Sequence, residues 1–261
     1  MTRLPAISAV VGLAMTACLL FTGCGAREKV TRLAQLDGKE IAVPTGTIAD
    51  KLVLSRLPQA KFKYFNSVMD AAMAVRSGKV DAAAYDEPIL RNLAAKNGGF
   101  AILPDMVTTD QYGFAVRLDR PDLKQAADSV IAELRKNGTY NEMLARWLPK
   151  TGAPAAMPEL PSSGGKGVLT FGTAAVTEPF SFIDGSRNVV GFDIEIARRV
   201  AQRLDMKLEV VNMDFGGMIP ALAAGKVDMI GACITITEER AKKVLFTEPY
   251  YTGGIAALVK E

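Results

Sequence analysis

Histidine is absent from the 261 residues. That one absence removes the commonest general base, the commonest metal ligand and every Ser/His or Cys/His dyad, so most catalytic readings have no starting point. Charge of one sign is also scarce. Thirty-one basic against twenty-eight acidic residues leave a net of +3, spread without a basic run or interleaved aromatics. Such a chain lacks the electrostatic footprint of a nucleic-acid-binding protein. Cysteine is limited to three positions. Cys18 and Cys24 fall in an N-terminal leader, which leaves Cys233 alone in the body, and an intramolecular disulfide is excluded there. Nothing in the sequence asks for a cofactor or a metal ion.

What is present begins with that leader. Arg3 supplies a positive start, and Ala6 to Phe21 form an apolar run broken only by Ser8, Gly12 and Thr16. This pattern is an export signal, not a core helix. It ends in Phe21-Thr22-Gly23-Cys24, which resembles the lipobox of bacterial lipoproteins, with Phe where Leu is usual. The resemblance implies lipid on Cys24, a membrane-anchored N-terminus and a body outside the cytoplasm.

From Leu36 onward, short β-rich runs alternate with helical ones: Lys39–Val43, Phe62–Tyr64, Ala82–Ala84 and Tyr112–Val116 as strands, Ile48–Arg56 and Ser67–Ser77 as helices. The alternation predicts an α/β fold with parallel strands and crossover helices. Pro121–Trp147 reads as two helices broken at Asn137-Gly138, the first with an apolar stripe of Leu123, Ala127, Ile131 and Leu134. Residues 151–165, rich in proline, glycine and serine, read as a linker. A second α/β series follows, with strands over Val168–Gly172, Leu208–Val211, Met229–Ile230 and Gly254–Val259 and helices over Gly191–Leu204 and Met218–Ala224.

The two series echo each other. Ala71-Ala72-Met73-Ala74-Val75-Arg76-Ser77-Gly78-Lys79-Val80-Asp81 runs parallel to Ile219-Pro220-Ala221-Leu222-Ala223-Ala224-Gly225-Lys226-Val227-Asp228, sharing Gly-Lys-Val-Asp. In each, an apolar helix ends at a glycine and turns into a buried strand. Asp86 and Cys233 both lie five residues past the shared aspartate, near the carboxyl ends of their strands, where open α/β sheets bind ligands.

Several motifs in the second half occur in one order: Gly172-Thr173 with Pro179-Phe180-Ser181, then Gly191-Phe192-Asp193-Ile194, Asp214-Phe215 with Ile219-Pro220-Ala221-Leu222, Ile234 to Arg240, and Phe246-Thr247-Glu248-Pro249-Tyr250. Together they resemble lobe 1 of the periplasmic amino-acid-binding proteins of ABC importers. Leu36-Asp37-Gly38-Lys39, Gly46-Thr47 and Gly78 to Asp86 resemble their lobe 2. The resemblance implies a two-lobed, type II periplasmic-binding-protein-like α/β fold closing on a small amino-acid-like ligand, with permease subunits as partners and a monomeric state. By the same resemblance Arg240 forks onto the ligand carboxylate, backed by Thr235 and by Gly46-Thr47. Asp86 takes the ammonium, Phe215 walls the ligand side chain, and Thr177 and Cys233 complete the lining. The chemistry agrees independently, since a zwitterion needs a planar cation and an anion. Read alone, Arg240 is equally a surface cation and Asp86 a helix N-cap before Glu87-Pro88.

Ala174 and Thr177 stand where many relatives carry an acid and an aromatic, and Ile48 and Cys233 where hydroxyls are frequent. The pocket is therefore expected to favour a neutral or aliphatic side chain over a cationic one, unless Glu178 replaces the missing acid. In the family the segment resembling 167–260 comes first, so the order is inverted and the fold is expected to be circularly permuted. That predicts lobe 2 over 36–117, helices of lobe 1 over 118–150, the linker 151–165 and the rest of lobe 1 over 166–261. It also predicts that only the crossing near Tyr112–Arg120 stays covalent, which would soften the hinge. Two other functions share the fold: a cyclohexadienyl-dehydratase-like enzyme using Glu178 or Asp86 as an acid, and a ligand-sensing lobe for a separate signalling protein.

Overall fold

The computed structural model describes residues 29–149, 154–161 and 164–261; the leader with Cys24 and parts of the linker lie outside the described residues. The chain runs through β1 (Glu40–Pro44), α1 (Ala49–Leu54), β2 (Lys61–Phe65), α2 (Val68–Arg76), β3 (Ala82–Asp86), α3 (Glu87–Asn97), β4 (Phe100–Ile102), β5 (Asp110–Tyr112), β6 (Ala115–Val116), α4 (Pro121–Lys136) and α5 (Thr139–Trp147). After the linker come β7 (Val168–Thr173), β8 (Val176–Thr177), β9 (Ser181–Ile183), β10 (Val189–Val190), α6 (Phe192–Arg203), β11 (Lys207–Asn212), α7 (Met218–Ala223), β12 (Met229–Ile230), α8 (Glu238–Ala241), β13 (Leu245–Phe246), β14 (Tyr251–Gly253) and β15 (Ile255–Lys260). Among the described residues, no helix is long and apolar enough to cross a membrane.

Two five-stranded sheets with one topology define the lobes. Lobe 2 orders its strands β2-β1-β3-β15-β4 and lobe 1 orders them β11-β7-β12-β6-β13. In each the first three strands are parallel and the last two are antiparallel to their neighbours. The shared Gly-Lys-Val-Asp run explains part of this equivalence. Gly78 and Gly225 both take positive φ, 73° and 69°, and the following lysine amides bond back to Ala74 and Ala221. The carboxylates of Asp81 and Asp228 then accept the amides of Glu40 on β1 and Thr170 on β7, each at about 3.0 Å. One short sequence thus fixes the same turn and the same strand register in both lobes.

The lobe boundaries differ from the sequence expectation. Residues 255–260 are not part of lobe 1: β15 pairs with β3 and β4 of lobe 2, because its buried Ile-Ala-Ala-Leu-Val run fits between them. Residues 115–116, expected in lobe 2, form β6 of lobe 1. The single strand expected over Tyr112–Val116 is split at Gly113, where a Cβ would lie 2.9 Å from Ile236. Both crossings are covalent. β5 and β14 pass between the lobes side by side as an antiparallel pair, Tyr112 opposite Tyr251, so the expected softened hinge is replaced by a two-stranded one. Glu261 donates its amide to Gly99, and Val259 packs in the same lobe 2 core as Leu33 and Leu36.

Candidate functional site

The carboxyl ends of β3 and β12 face each other across the hinge. Asp86 ends β3 and Cys233 lies three residues past β12, in a loop that leads to α8. Cys233 holds a positive φ of 53°, and its amide donates to Asp193 at 3.3 Å. Its thiol is buried and pushed well up by that burial. Thr237 caps α8 by accepting the amide of Arg240 at 3.2 Å, which sets the arginine at the cleft. The guanidinium Nη1 donates to the Thr235 carbonyl at 3.0 Å, and Cζ lies 5.6 Å from the Phe215 ring centroid. Arg240 is thus no freely solvated surface cation. Burial pulls its pKa down, while the Asp86 charge pulls the other way.

Asp86 is 5 % exposed and its side chain does not cap α3. It accepts instead from the Tyr112 hydroxyl. Burial raises its carboxyl to about 7, against the Tyr112 bond and the Arg240 charge, which both lower it. A carboxyl poised there, partnered from one side, can accept an ammonium on the other.

Gly46, with φ 79°, meets Gly216 of lobe 1: a Cβ at Gly46 would come within 2.8 Å of the Gly216 Cα. The lobes are in contact here, with cavities of about 430 and 650 Å³ on either side, both lined by Gly46, Thr47 and Phe215. Arg240 lines the smaller, and Tyr85, Ala174 and Thr177 the larger. The Thr47 hydroxyl donates to Pro44 and accepts from Ala49, so its loop has already used it. Thr177 is engaged similarly, with Ala174 and Ser181 carbonyls. Thr235 is buried and bridges to Tyr112 through its backbone.

Glu178 does not replace the missing acid within the pocket, because it pairs with Lys96 of lobe 2. Lys51 and Glu239 form a second pair between the lobes at 3.0 Å. Sequence reasoning did not find these pairs, Tyr112 or Gly216. The only signal for Tyr112 was its place beside Gly113, at a chain crossing. Among the described residues no group of three potential metal ligands occurs.

With this geometry in view, the chain can be compared with known proteins. Residues 169–261 match the bacterial extracellular solute-binding proteins, family 3. The chain is 42% identical over 93 residues to the arginine-binding extracellular protein ArtP of Bacillus subtilis, covering 36% of each chain. Similarity to the L-cystine-binding protein TcyJ of Escherichia coli is 33% over 96 residues, 37% of this chain and 36% of that one. The arginine-bound form of domain 1 from TmArgBP matches at 41% identity and TM-score 0.33, over 37% of this chain and 82% of that one. The chain thus spans about a third of the length of the curated relatives it matches.

Proposed function

We propose that the protein captures a free amino acid or similar small zwitterion between its lobes, outside the cytoplasm, and delivers it to an ABC permease. One observation carries the reading: Arg240 of lobe 1, half-buried and lining the smaller cavity, and Asp86 of lobe 2, buried at the end of β3, lie close enough for each to shift the other's pKa. A free α-amino acid supplies the two charges they lack, and holding both ends at once favours the closed state over the open one. Family 3 similarity supports the same class of ligand. Lipid on Cys24 would keep the protein at the membrane face. Ala174 and the locally bonded Thr177 present no charge to the larger cavity and Glu178 is turned to Lys96, which favours a neutral side chain on that wall; Asp214, just past β11, is the carboxylate that lines the cavity.

We further infer that the chain is a permuted single unit, opened between β15 and β1 and rejoined through 151–165. Both crossing strands and both complete sheets within one chain support this over a fragment of a tandem array. Titration of refolded, ligand-stripped protein with L-leucine, L-glutamine, L-arginine, L-histidine and L-cystine, combined with its solution mass, tests both readings. One site per monomer supports them. A folded monomer that binds none contradicts the first, and an obligate dimer contradicts the second.

A further inference from the structure

Tyr112 is fully buried on crossing strand β5, outside every motif that pointed to the site. Its hydroxyl donates to Asp86 Oδ1 and accepts from the Gly254 amide at 3.2 Å, just past the other crossing strand. Gly253 makes room for it, since a Cβ there would lie 2.5 Å from the phenol oxygen. The ring stacks on Tyr251 of β14, centroids 5.9 Å apart, and meets Phe180 of lobe 1 edge-on at 6.2 Å. One side chain therefore touches both hinge strands, a lobe 1 aromatic and the lobe 2 acid.

We propose that Tyr112 is a positioning residue, whose hydroxyl fixes the Asp86 carboxylate for the ligand ammonium and ties that orientation to the packing of the two hinge strands. This rests on the reading of Asp86 as the ammonium-holding group. With Oδ1 held by the phenol, Oδ2 is left for the ligand. The stacked ring gives the phenol one seat, so the acid is preorganised before a ligand arrives. The acid is also faced by Asp110 on β5, Tyr85 on its own strand, Cys233 in the lobe 1 loop and Arg240 from α8. Of these, Asp110 raises its pKa and Arg240 lowers it, as the Tyr112 hydrogen bond does.

The test is calorimetric titration of the full chain with L-leucine, L-glutamine and L-arginine from pH 5.5 to 8.5. It compares wild type with Tyr112→Phe, Asp86→Asn and the double variant, using the tightest of the three ligands. Tyr112→Phe keeps the ring, and is expected to weaken binding about 10-fold at pH 8, the usual scale for a hydrogen bond to a charged group. It should also move the affinity's pH midpoint upward, because a bond that lowered the carboxyl pKa is gone. In the Asp86→Asn background the same change should cost less than about twofold, since the hydroxyl acts through the acid. Replacing Tyr112 with 3-fluorotyrosine retains ring and donor but strengthens the donor, and should move the midpoint to lower pH. An unmoved midpoint in both Tyr112 variants, or equal losses in the two backgrounds, overturns the proposal while leaving amino-acid binding intact. Failure of wild type to bind any of the three ligands overturns both.

Discussion

Asp193 sits at the start of α6, wholly buried, with Oδ2 accepting from Tyr250 and the Cys233 amide and Oδ1 unpartnered among the described residues. Burial raises its carboxyl to about 8, against those two hydrogen bonds. Asp86, at about 7, shares the behaviour. Both folded pKa values exceed the unfolded one near 3.8, so the folded state binds more protons than the unfolded chain between about pH 4 and pH 8. Stability contributed by these two acids is therefore greatest at the acidic end of that window and falls as pH rises through 7 and 8. Urea unfolding of the protein without added amino acid should give a smaller unfolding free energy at pH 8 than at pH 5, and Asp193→Asn should flatten that difference; an equal slope in the variant would contradict the assignment. Nothing in the sequence predicted this. Asp193 was legible as part of a motif, but its isolation depends on Tyr250 and the Cys233 loop, 57 and 40 residues away in the chain. Arg240 and Asp86 were legible as candidates because their chemistry suits a zwitterion. The choice between a helix cap and a cleft acid for Asp86 required the hinge strand.

At the scale of elements, the amphipathic stripe of α4 and the glycine turns after α2 and α7 were readable, because they are local. The two- and three-residue strands β8, β9 and β10 were not, since so few residues carry no detectable period and exist through pairing with one another. The docking of α5 on α6 was equally hidden. Glu195 of α6 is fully buried and accepts from Trp147 Nε1 at 2.7 Å, Arg146 at 2.8 Å and Arg199 at 2.7 Å. The bonds from Arg146 and Trp147 pin α5, the second helix after the first crossing, onto α6 of lobe 1. Glu195→Ala leaves two partly buried guanidinium groups and an indole N–H without their acceptor, and should cost about 3 kcal/mol in denaturant unfolding. A loss below about 1 kcal/mol would mean that α5 is held by its apolar contacts alone.

The whole molecule combines two similar lobes, a two-stranded hinge and a closed cleft. The similarity of the two halves was visible in the shared Gly-Lys-Val-Asp run, but the sheet that β15 joins was not, because it reads equally well as the last strand of either sheet. Closure is supported by backbone contact at Gly46 and Gly216 and by ion pairs on separate elements, Lys51–Glu239 and Lys96–Glu178. The first pair is about two-thirds exposed on both sides, so water and salt screen it. Lys51→Ala should weaken ligand binding by less than about threefold at low salt and leave it unchanged at high salt. Gly46→Ala inserts a methyl group into the lobe contact and strains a positive φ, so a loss of at least about 10-fold is expected, with little salt dependence. A titration series in two ionic strengths separates the two effects.

In the proposed function, one small zwitterion is held by groups from both lobes at once. Titration of the tightest-binding common L-amino acid into wild type, Arg240→Ala and Asp86→Ala at pH 8 tests it most directly. One-to-one binding by wild type is expected, with a loss of about 100-fold or more in each variant and both variants still folded. Undiminished binding by either variant would show that the ligand does not bridge the lobes through these residues.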